Sequence, residues 1–377
     1  MEFIRREIRD LLTEKMKPGK VIIIAGARRV GKTFMLKEII KNTDEPSLFL
    51  NGEDINTHVI LEKRTAENYR QLIGSKKILI IDEAQKITDI GLILKLMTDE
   101  LPDLKIIVTG SSSFDIDNLT GEPLTGRKYT LTLFPLSERE FSQTDSPVDR
   151  PDRLKQRLVY GNYPELLHLP DEADKRDYLN ELVSSYLLRD ILVFENIRHS
   201  SKIFNLLRLV AFQIGNLVSL TELGSQLSMS KNTVEKYLDL LSKVFILFRL
   251  EGFSSNLRKE VTKNSKWYFF DNGIRNAIIA DFKNFGTRND TGKLWENYMA
   301  SERLKFQQFK RKHSNNFFWR TYDQQEVDWV EERNGTISGT EFKWTESKTK
   351  PPAAWRKAYP EADFNVINSD NYLKWLL

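Results

Sequence analysis

Residues 20–40 read KVIIIAGARRVGKTFMLKEII, and this stretch constrains the fold more than any other. The β-branched run Val21 to Ile24 suits a parallel strand buried on both faces. The pattern G-x-x-x-x-G-K-T follows, from Gly26 to Thr33, and then Phe34, Leu36, Ile39 and Ile40 recur at helical spacing. Strand, glycine-rich loop and helix in that order form a phosphate cradle. Gly26 and Gly31 permit a tight turn whose N–H groups can meet phosphate oxygens, Lys32 reaches the β and γ phosphates, and the Thr33 hydroxyl ligates Mg²⁺. The helix that follows directs its positive end at the same charges. The expected phosphate-binding residues are therefore Gly26, Ala27, Arg28, Arg29, Val30, Gly31, Lys32, Thr33 and Phe34.

A cradle of this kind needs an acid at the end of a second buried strand. KKILIIDEAQ provides it, with Ile78 to Ile81 as the strand, Asp82 as the Mg²⁺-side acid and Glu83 as the base that orients the attacking water. A helix-capping role is the plainer alternative for this acidic pair. A third strand, LKIIVTGSSS, ends in the hydroxyls Thr109, Ser111 and Ser112, one of which is placed to sense the γ-phosphate. Arg127, after a glycine in LTGRKYT, is a candidate arginine finger reaching across a subunit boundary, with an ordinary surface arginine as the alternative.

GARRVGKT, IIDEAQ, VTGSSS, LTGR, LFPLSEREF and YGNYPELL together resemble the AAA+-type prokaryotic P-loop ATPases that carry a C-terminal domain of unknown function. The resemblance extends over nearly the whole chain. It implies a five-stranded parallel sheet, binding and hydrolysis of ATP with Mg²⁺, and a homo-oligomer such as a ring. An aromatic pore loop of the unfoldase kind is not evident.

With 377 residues, the chain is long enough for about two or three domains. A sheet domain over residues 1–148 is followed by the helical stretches LKQRLVYGNYPELL and YLNELVSSYLLRDIL, read as a helical lid over 149–200 in which Arg189 is a possible nucleotide contact. Residues 201–253 show a helix-turn-helix pattern. Leu220, Leu223 and Leu227 line one helix, the break falls at Ser228-Met229, Ser230 caps the next helix, and Val234, Leu238 and Leu241 line it. The β-leaning VFILFRL after it suggests a wing. Lys231, Asn232 and Lys236 on the second helix favour DNA, whereas Glu235 and Asp239 oppose it.

The remaining segment, 254–377, contains EVDWVEERNGTISGTEFKW at 326–344. Asn334-Gly335 is a strong signal for a two-residue hairpin turn. That turn sets Asp328 opposite Glu341 and Glu326 opposite Lys343, with Val327, Trp329, Phe342 and Trp344 on the other face. Opposed carboxylates roughly 5 Å apart destabilise a hairpin unless something bridges them, and a divalent cation is one candidate. The pattern is similar to that of restriction-endonuclease-like domains. The resemblance implies Asp328, Glu341 and the helical Glu296 as metal ligands and Lys343 as the residue positioning the attacking water. Val327 stands where proline is usual, and Gly339 offers a bulge that would shift the register. The alternative is a hairpin with a solvent-facing Glu326–Lys343 pair and one protonated or splayed acid.

The expected architecture is thus multidomain α/β: a P-loop AAA+-type parallel sheet with a helical lid, a winged helix-turn-helix and a restriction-endonuclease-like domain. Lysine and arginine total 57 against 53 acids, a mildly basic balance compatible with DNA as a partner. There is no cysteine, which excludes disulfides and thiolate metal sites. MEFIRREIRD lacks the apolar core of a signal peptide, and no apolar run reaches the roughly 20 residues that span a bilayer. A cytoplasmic protein without membrane contact is expected. Its function is expected to be Mg²⁺-dependent ATP hydrolysis coupled to action on DNA. The alternatives are an ATP-switched assembly scaffold with an inactive nuclease-like domain, or a protein remodeller.

Overall fold

The computed structural model describes residues 4–111, 124–187, 200–254 and 265–377. Ser112 and Arg189, singled out above, lie outside them. Two compact units emerge, Arg5–Pro135 and Leu136–Leu377, the latter joined by Ile4.

In the first unit, β1 (Val21–Ala25), β2 (Ser47–Asn51), β3 (Ile78–Asp82), β4 (Lys105–Gly110) and β5 (Lys128–Thr132) form a sheet. It is parallel throughout, in the order β2-β3-β4-β1-β5. β1 and β3 are buried along their whole length, which explains their unbroken aliphatic sequences. Ala25 lies level with Gly110, and Ile81 with Val108. The carboxyl ends of β1, β3 and β4 therefore reach one edge of the sheet, with β4 between the other two.

The second unit contains a mixed sheet of seven strands in the order β12-β11-β10-β9-β7-β8-β6. Its members are β6 (Leu217–Val218), β7 (Leu247–Gly252), β8 (Ser265–Phe269), β9 (Asn315–Arg320), β10 (Glu326–Arg333), β11 (Thr336–Phe342) and β12 (Asp363–Ile367). The helices Ser200–Phe212, Leu220–Leu227 and Lys231–Lys243 precede β7. Ser230 caps the third of these, its hydroxyl accepting from the Thr233 N–H. The 19-residue helix Thr291–Phe309 precedes the meander β9-β10-β11. β12 then joins β11 in parallel after the short helix Ala353–Ala358.

The compact units part between Pro135 and Leu136, ahead of the division expected at 148/149. β7 pairs antiparallel with β8 and parallel with β9, so one continuous sheet crosses the division expected at 253/254. The helix Arg150–Tyr160, expected in a separate lid, is tied into the same unit. The Asn276 side chain donates to Val159 O at 2.7 Å, and the Asn162 N–H donates to Asp271 Oδ2 at 2.6 Å.

The Asn334-Gly335 turn forms as expected, with φ of 52° and 78°. Arg333 pairs with Thr336, and the ladder continues in the expected register to Trp329 opposite Thr340. The bulge lies in β10, between Val327 and Val330 against β9, and not at Gly339. It rotates the strand, so Val327 packs with Val330 around Trp355 and Trp319. Trp329 sits with Glu331, which pairs with Arg303 of the helix Thr291–Phe309. The expected common face of Val327 and Trp329 is therefore lost, because an extra residue on one strand breaks the alternation.

A buried charge network braces the start of this unit. Arg157 donates to Glu138 at 2.7 Å and to Asp145 at 2.8 Å, with these side chains 7%, 1% and 1% exposed. The hydroxyls of Tyr298 and Tyr372 also donate to Glu138. Glu138→Ala would leave a buried guanidinium short of its partner, so we expect a loss of about 3–5 kcal/mol in denaturant unfolding of this unit. A loss below about 1 kcal/mol would show that the network is not needed.

Candidate functional site

The phosphate loop occupies the turn between β1 and the helix Lys32–Lys41. A Cβ at Gly26 would lie 2.2 Å from Leu133 O, and Gly31 has φ 95°, so both positions need glycine. Gly31 also leaves the helix start without a side-chain cap, as a phosphate-binding helix requires. Arg6, which the motif reading missed, braces the loop from behind, its guanidinium donating to Val30 O at 2.7 Å and Phe134 O at 2.6 Å. Ala27 and Val30 are buried, Arg28 is half-buried, and Arg29 and Phe34 are exposed. The Lys32 ammonium is buried against the loop, donating to the carbonyls of Gly26 at 2.8 Å and Ala27 at 2.9 Å.

The two halves of the site meet. Thr33 Oγ1 donates to Asp82 Oδ2 at 2.6 Å. Thr109 Oγ1 donates to Asp82 Oδ1 and accepts from the Glu83 N–H at 3.0 Å. Glu83 itself is held in the left-handed region at φ 50°. Gln85, which sequence reasoning passed over, donates to Glu83 Oε2 at 2.6 Å and to Ser111 Oγ at 3.1 Å. Thr109 is fully buried behind the acids, so it positions them, while Ser111 stands beside Gln85. The hydroxyl of Thr33 and the carboxylate of Asp82 are hard oxygen donors already facing one another, a set that fits Mg²⁺.

Arg127 is elsewhere. It pairs with Asp99, just before β5, where Lys128 lies level with Val21 at the start of β1. The loop leaves β1 at the other end, after Ala25. Arg127 therefore sits in an ion pair at the opposite end of the strands from the unit's own phosphate loop.

In the second unit, Glu296, Glu326 and Asp328 each present an oxygen within 4.8 Å of the others. Glu326 takes the place expected for Glu341. Glu341 Oε1 is held by Lys343 Nζ at 2.7 Å, and its buried Oε2 has no hydrogen-bond partner. The reason is local: the hairpin ladder ends at Trp329 and Thr340, and Asp328 turns to accept the Phe342 N–H at 2.9 Å. Lys343 therefore neutralises Glu341 instead of facing Glu326, and Glu326 pairs with Arg320 at 3.0 Å. At the centre is Lys266 of β8, fully buried and contacting all three clustered acids. Burial alone would lower its pKa, but the charges of the acids facing it, Glu296 first, outweigh that and hold it well above the ordinary lysine value. Glu296 is depressed despite burial because Lys266 and Lys293 face it. Burial, with the charges of Glu296 and Glu341, pushes Asp328 up to about 8.

No helix of the described residues is long and apolar enough to cross a membrane. Residues 18–142 match a family described as an AAA domain. Residues 151–285 and 291–373 match two domains of unknown function, DUF8612 and DUF4143. The first unit thus carries an AAA-type P-loop domain, which supports ATP binding and hydrolysis. Among curated proteins, an uncharacterized protein of Methanocaldococcus jannaschii is 26% identical over 291 residues, covering 72% of this chain and 65% of its own length. One of Haemophilus influenzae is 26% identical over 280 residues, 68% of each chain. One of Mycobacterium tuberculosis is 25% identical over 346 residues, 90% of this chain and 74% of its own. The chain spans about two thirds of the length of the first of these relatives. A Signal Transduction ATPase with Numerous Domains from Pyrococcus horikoshii aligns at 13% identity and TM-score 0.31, over 81% of this chain and 47% of its own. A Bacteroides Pif1 helicase in complex with ADP-AlF3 and ssDNA aligns at 15% identity and TM-score 0.27, over 52% and 59%.

Asp328 generates a pH prediction. Its folded pKa of about 8 exceeds the unfolded value near 3.9, so between those values the folded chain holds the extra proton. Stability contributed by this group is present at low pH and declines as pH rises through that window. Asp328→Asn removes the titration. In denaturant unfolding, its stability relative to the parent chain should climb from about pH 4 to pH 8 and level off above. A gap independent of pH would mean that the folded carboxyl is ionised throughout.

Proposed function

We propose that this chain is a Mg²⁺-dependent ATPase that acts on DNA through its second unit and works as a homo-oligomer, in a cytoplasmic setting. The observation that carries the ATPase reading is the unbroken hydrogen-bonded run Thr33–Asp82–Thr109–Glu83 beside the phosphate loop. Thr33 and Asp82 would hold the Mg²⁺, which would supply positive charge to offset that of the phosphates. Lys32 exchanges its two carbonyl partners for the β and γ phosphates, and the loop N–H groups bind the same oxygens. Glu83 orients the water and takes its proton, and Thr109 holds both acids in place from behind. Arg127 has no part in this cycle within its own unit.

The DNA reading draws on the order of elements in the second unit. A helix, a short strand, two helices and the pair β7 and β8 follow one another from Ser200 to Phe269, and β6 pairs with β8. This supports a winged helix whose exposed Lys231, Asn232 and Lys236 meet phosphates and bases. The helix Thr291–Phe309, the meander β9-β10-β11, the helix Ala353–Ala358 and β12 support the restriction-endonuclease-like fold.

ATP turnover by the purified chain, with and without DNA, tests the proposal. Lys32→Ala should lower turnover by at least about a hundredfold, and Glu83→Gln by about 10²–10⁴-fold with nucleotide binding retained. DNA should stimulate the parent chain at low salt and lose that effect as salt rises. Undiminished turnover in Lys32→Ala would end the ATPase reading. Turnover indifferent to DNA at every salt concentration would favour the switch or remodeller readings.

A further inference from the structure

The nuclease-like resemblance implies a divalent metal at the acids of the second unit, and the residues present do not fit one. Every oxygen of the three clustered carboxylates has a partner. Glu296 Oε1 accepts from Lys266 at 2.9 Å and from the Tyr268 hydroxyl at 2.7 Å, and Glu296 Oε2 from Lys293 at 3.2 Å. Glu326 Oε1 meets Lys266, and its Oε2 meets Arg320 at 3.0 Å. Asp328 Oδ1 lies 3.7 Å from Lys266, and its Oδ2 accepts the Phe342 N–H. A Mg²⁺ or Mn²⁺ ion needs such oxygens at about 2.0–2.2 Å, in the space the Lys266 ammonium occupies. A dication brought beside a fully buried ammonium would meet strong repulsion that no solvent screens.

We propose that Lys266 is the resident cation of this cluster, a tethered ammonium standing where the related fold would hold a metal ion, so that the second unit engages DNA without metal and without cutting it. The chain connection explains why the arrangement persists. Lys266 sits on β8, fully buried along its length, between β6 and β7. The acids come from the helix Thr291–Phe309 and from β10, across β7 and β9 in the same sheet. The ammonium thus ties β8 to β10, two strands beyond its neighbour β7, and to the helix Thr291–Phe309, and removing it would leave buried carboxylates uncompensated. Glu341 and Lys343 neutralise one another beside this cluster, leaving Lys343 engaged.

The test is Mn²⁺ binding to nucleotide-free full-length protein, followed by calorimetry and by the melting temperature. The parent chain should show no site sensitive to Asp328→Asn tighter than about millimolar, and Mn²⁺ should not raise the melting temperature of this unit. Lys266→Met, similar in volume and uncharged, should gain one Mn²⁺ site at least tenfold tighter, lost again on adding Asp328→Asn. A parent chain that binds Mn²⁺ in an Asp328-dependent way, or nicks supercoiled DNA with Mn²⁺ in that way, overturns the proposal. So does a folded Lys266→Met that gains no metal. If Lys266→Met does not fold, the parent-chain titration decides alone. ATP turnover enters neither arm, so the outcome is separate from that of the ATPase reading.

Discussion

A strand buried on both faces has no room for polar side chains along its length, so its chemistry is pushed to its ends. That constraint organises the first unit. β1 and β3 are aliphatic throughout, and the parallel registers bring Ala25, Asp82 and Gly110 to one edge. Once three carboxyl ends share an edge, the loop after β1, the acids after β3 and the hydroxyl near the end of β4 must face one another. The hydrogen bonds from Thr33 to Asp82 and from Thr109 to both acids follow from that alignment.

The second unit solves the opposite problem, with charges placed inside its core. Arg157, Lys266, Arg275 and Lys305 are all buried, and each is answered by acids or carbonyls: Glu138 and Asp145, the Glu296 cluster, Asp290, and Glu302 with Leu136 O. Buried ion pairs seldom add net stability over well-packed apolar groups, but breaking one is costly. Such networks therefore specify which elements stay together. Here they bind the stretch after Leu136 to the helix Thr291–Phe309, and that helix to β8 and β10, which is why the expected lid, winged-helix and nuclease-like boundaries do not coincide with the compact units.

Legibility differed between the two candidate sites. The phosphate loop and Asp82-Glu83 could be read because each is a local pattern whose geometry is set by a few neighbouring residues. The hairpin register could be read from Asn334-Gly335 for the same reason. Its functional face could not, because the bulge in β10 arises from pairing with β9, a strand whose own sequence carries no signal of it. The place of Arg127 is decided by β5 running parallel to β1, which sets it at the far end of the strands from the unit's own phosphate loop. Lys266 opens the stretch KWYFF, in which nothing local marks its ammonium as enclosed by acids.

The amino-acid sequence by itself determined the phosphate cradle, its acidic counterpart, the two-residue turn and the helix-turn-helix spacing, since these depend on backbone preferences and short-range periodicity. Only the tertiary structure decided which charges meet. Lys266 and Glu296 are 30 residues apart and Lys266 and Asp328 farther still, on elements that become neighbours only when the seven strands close into one sheet. Whether a carboxylate faces a metal ion or a lysine is settled by that closure, because an ammonium in the same few ångströms leaves no place for another cation.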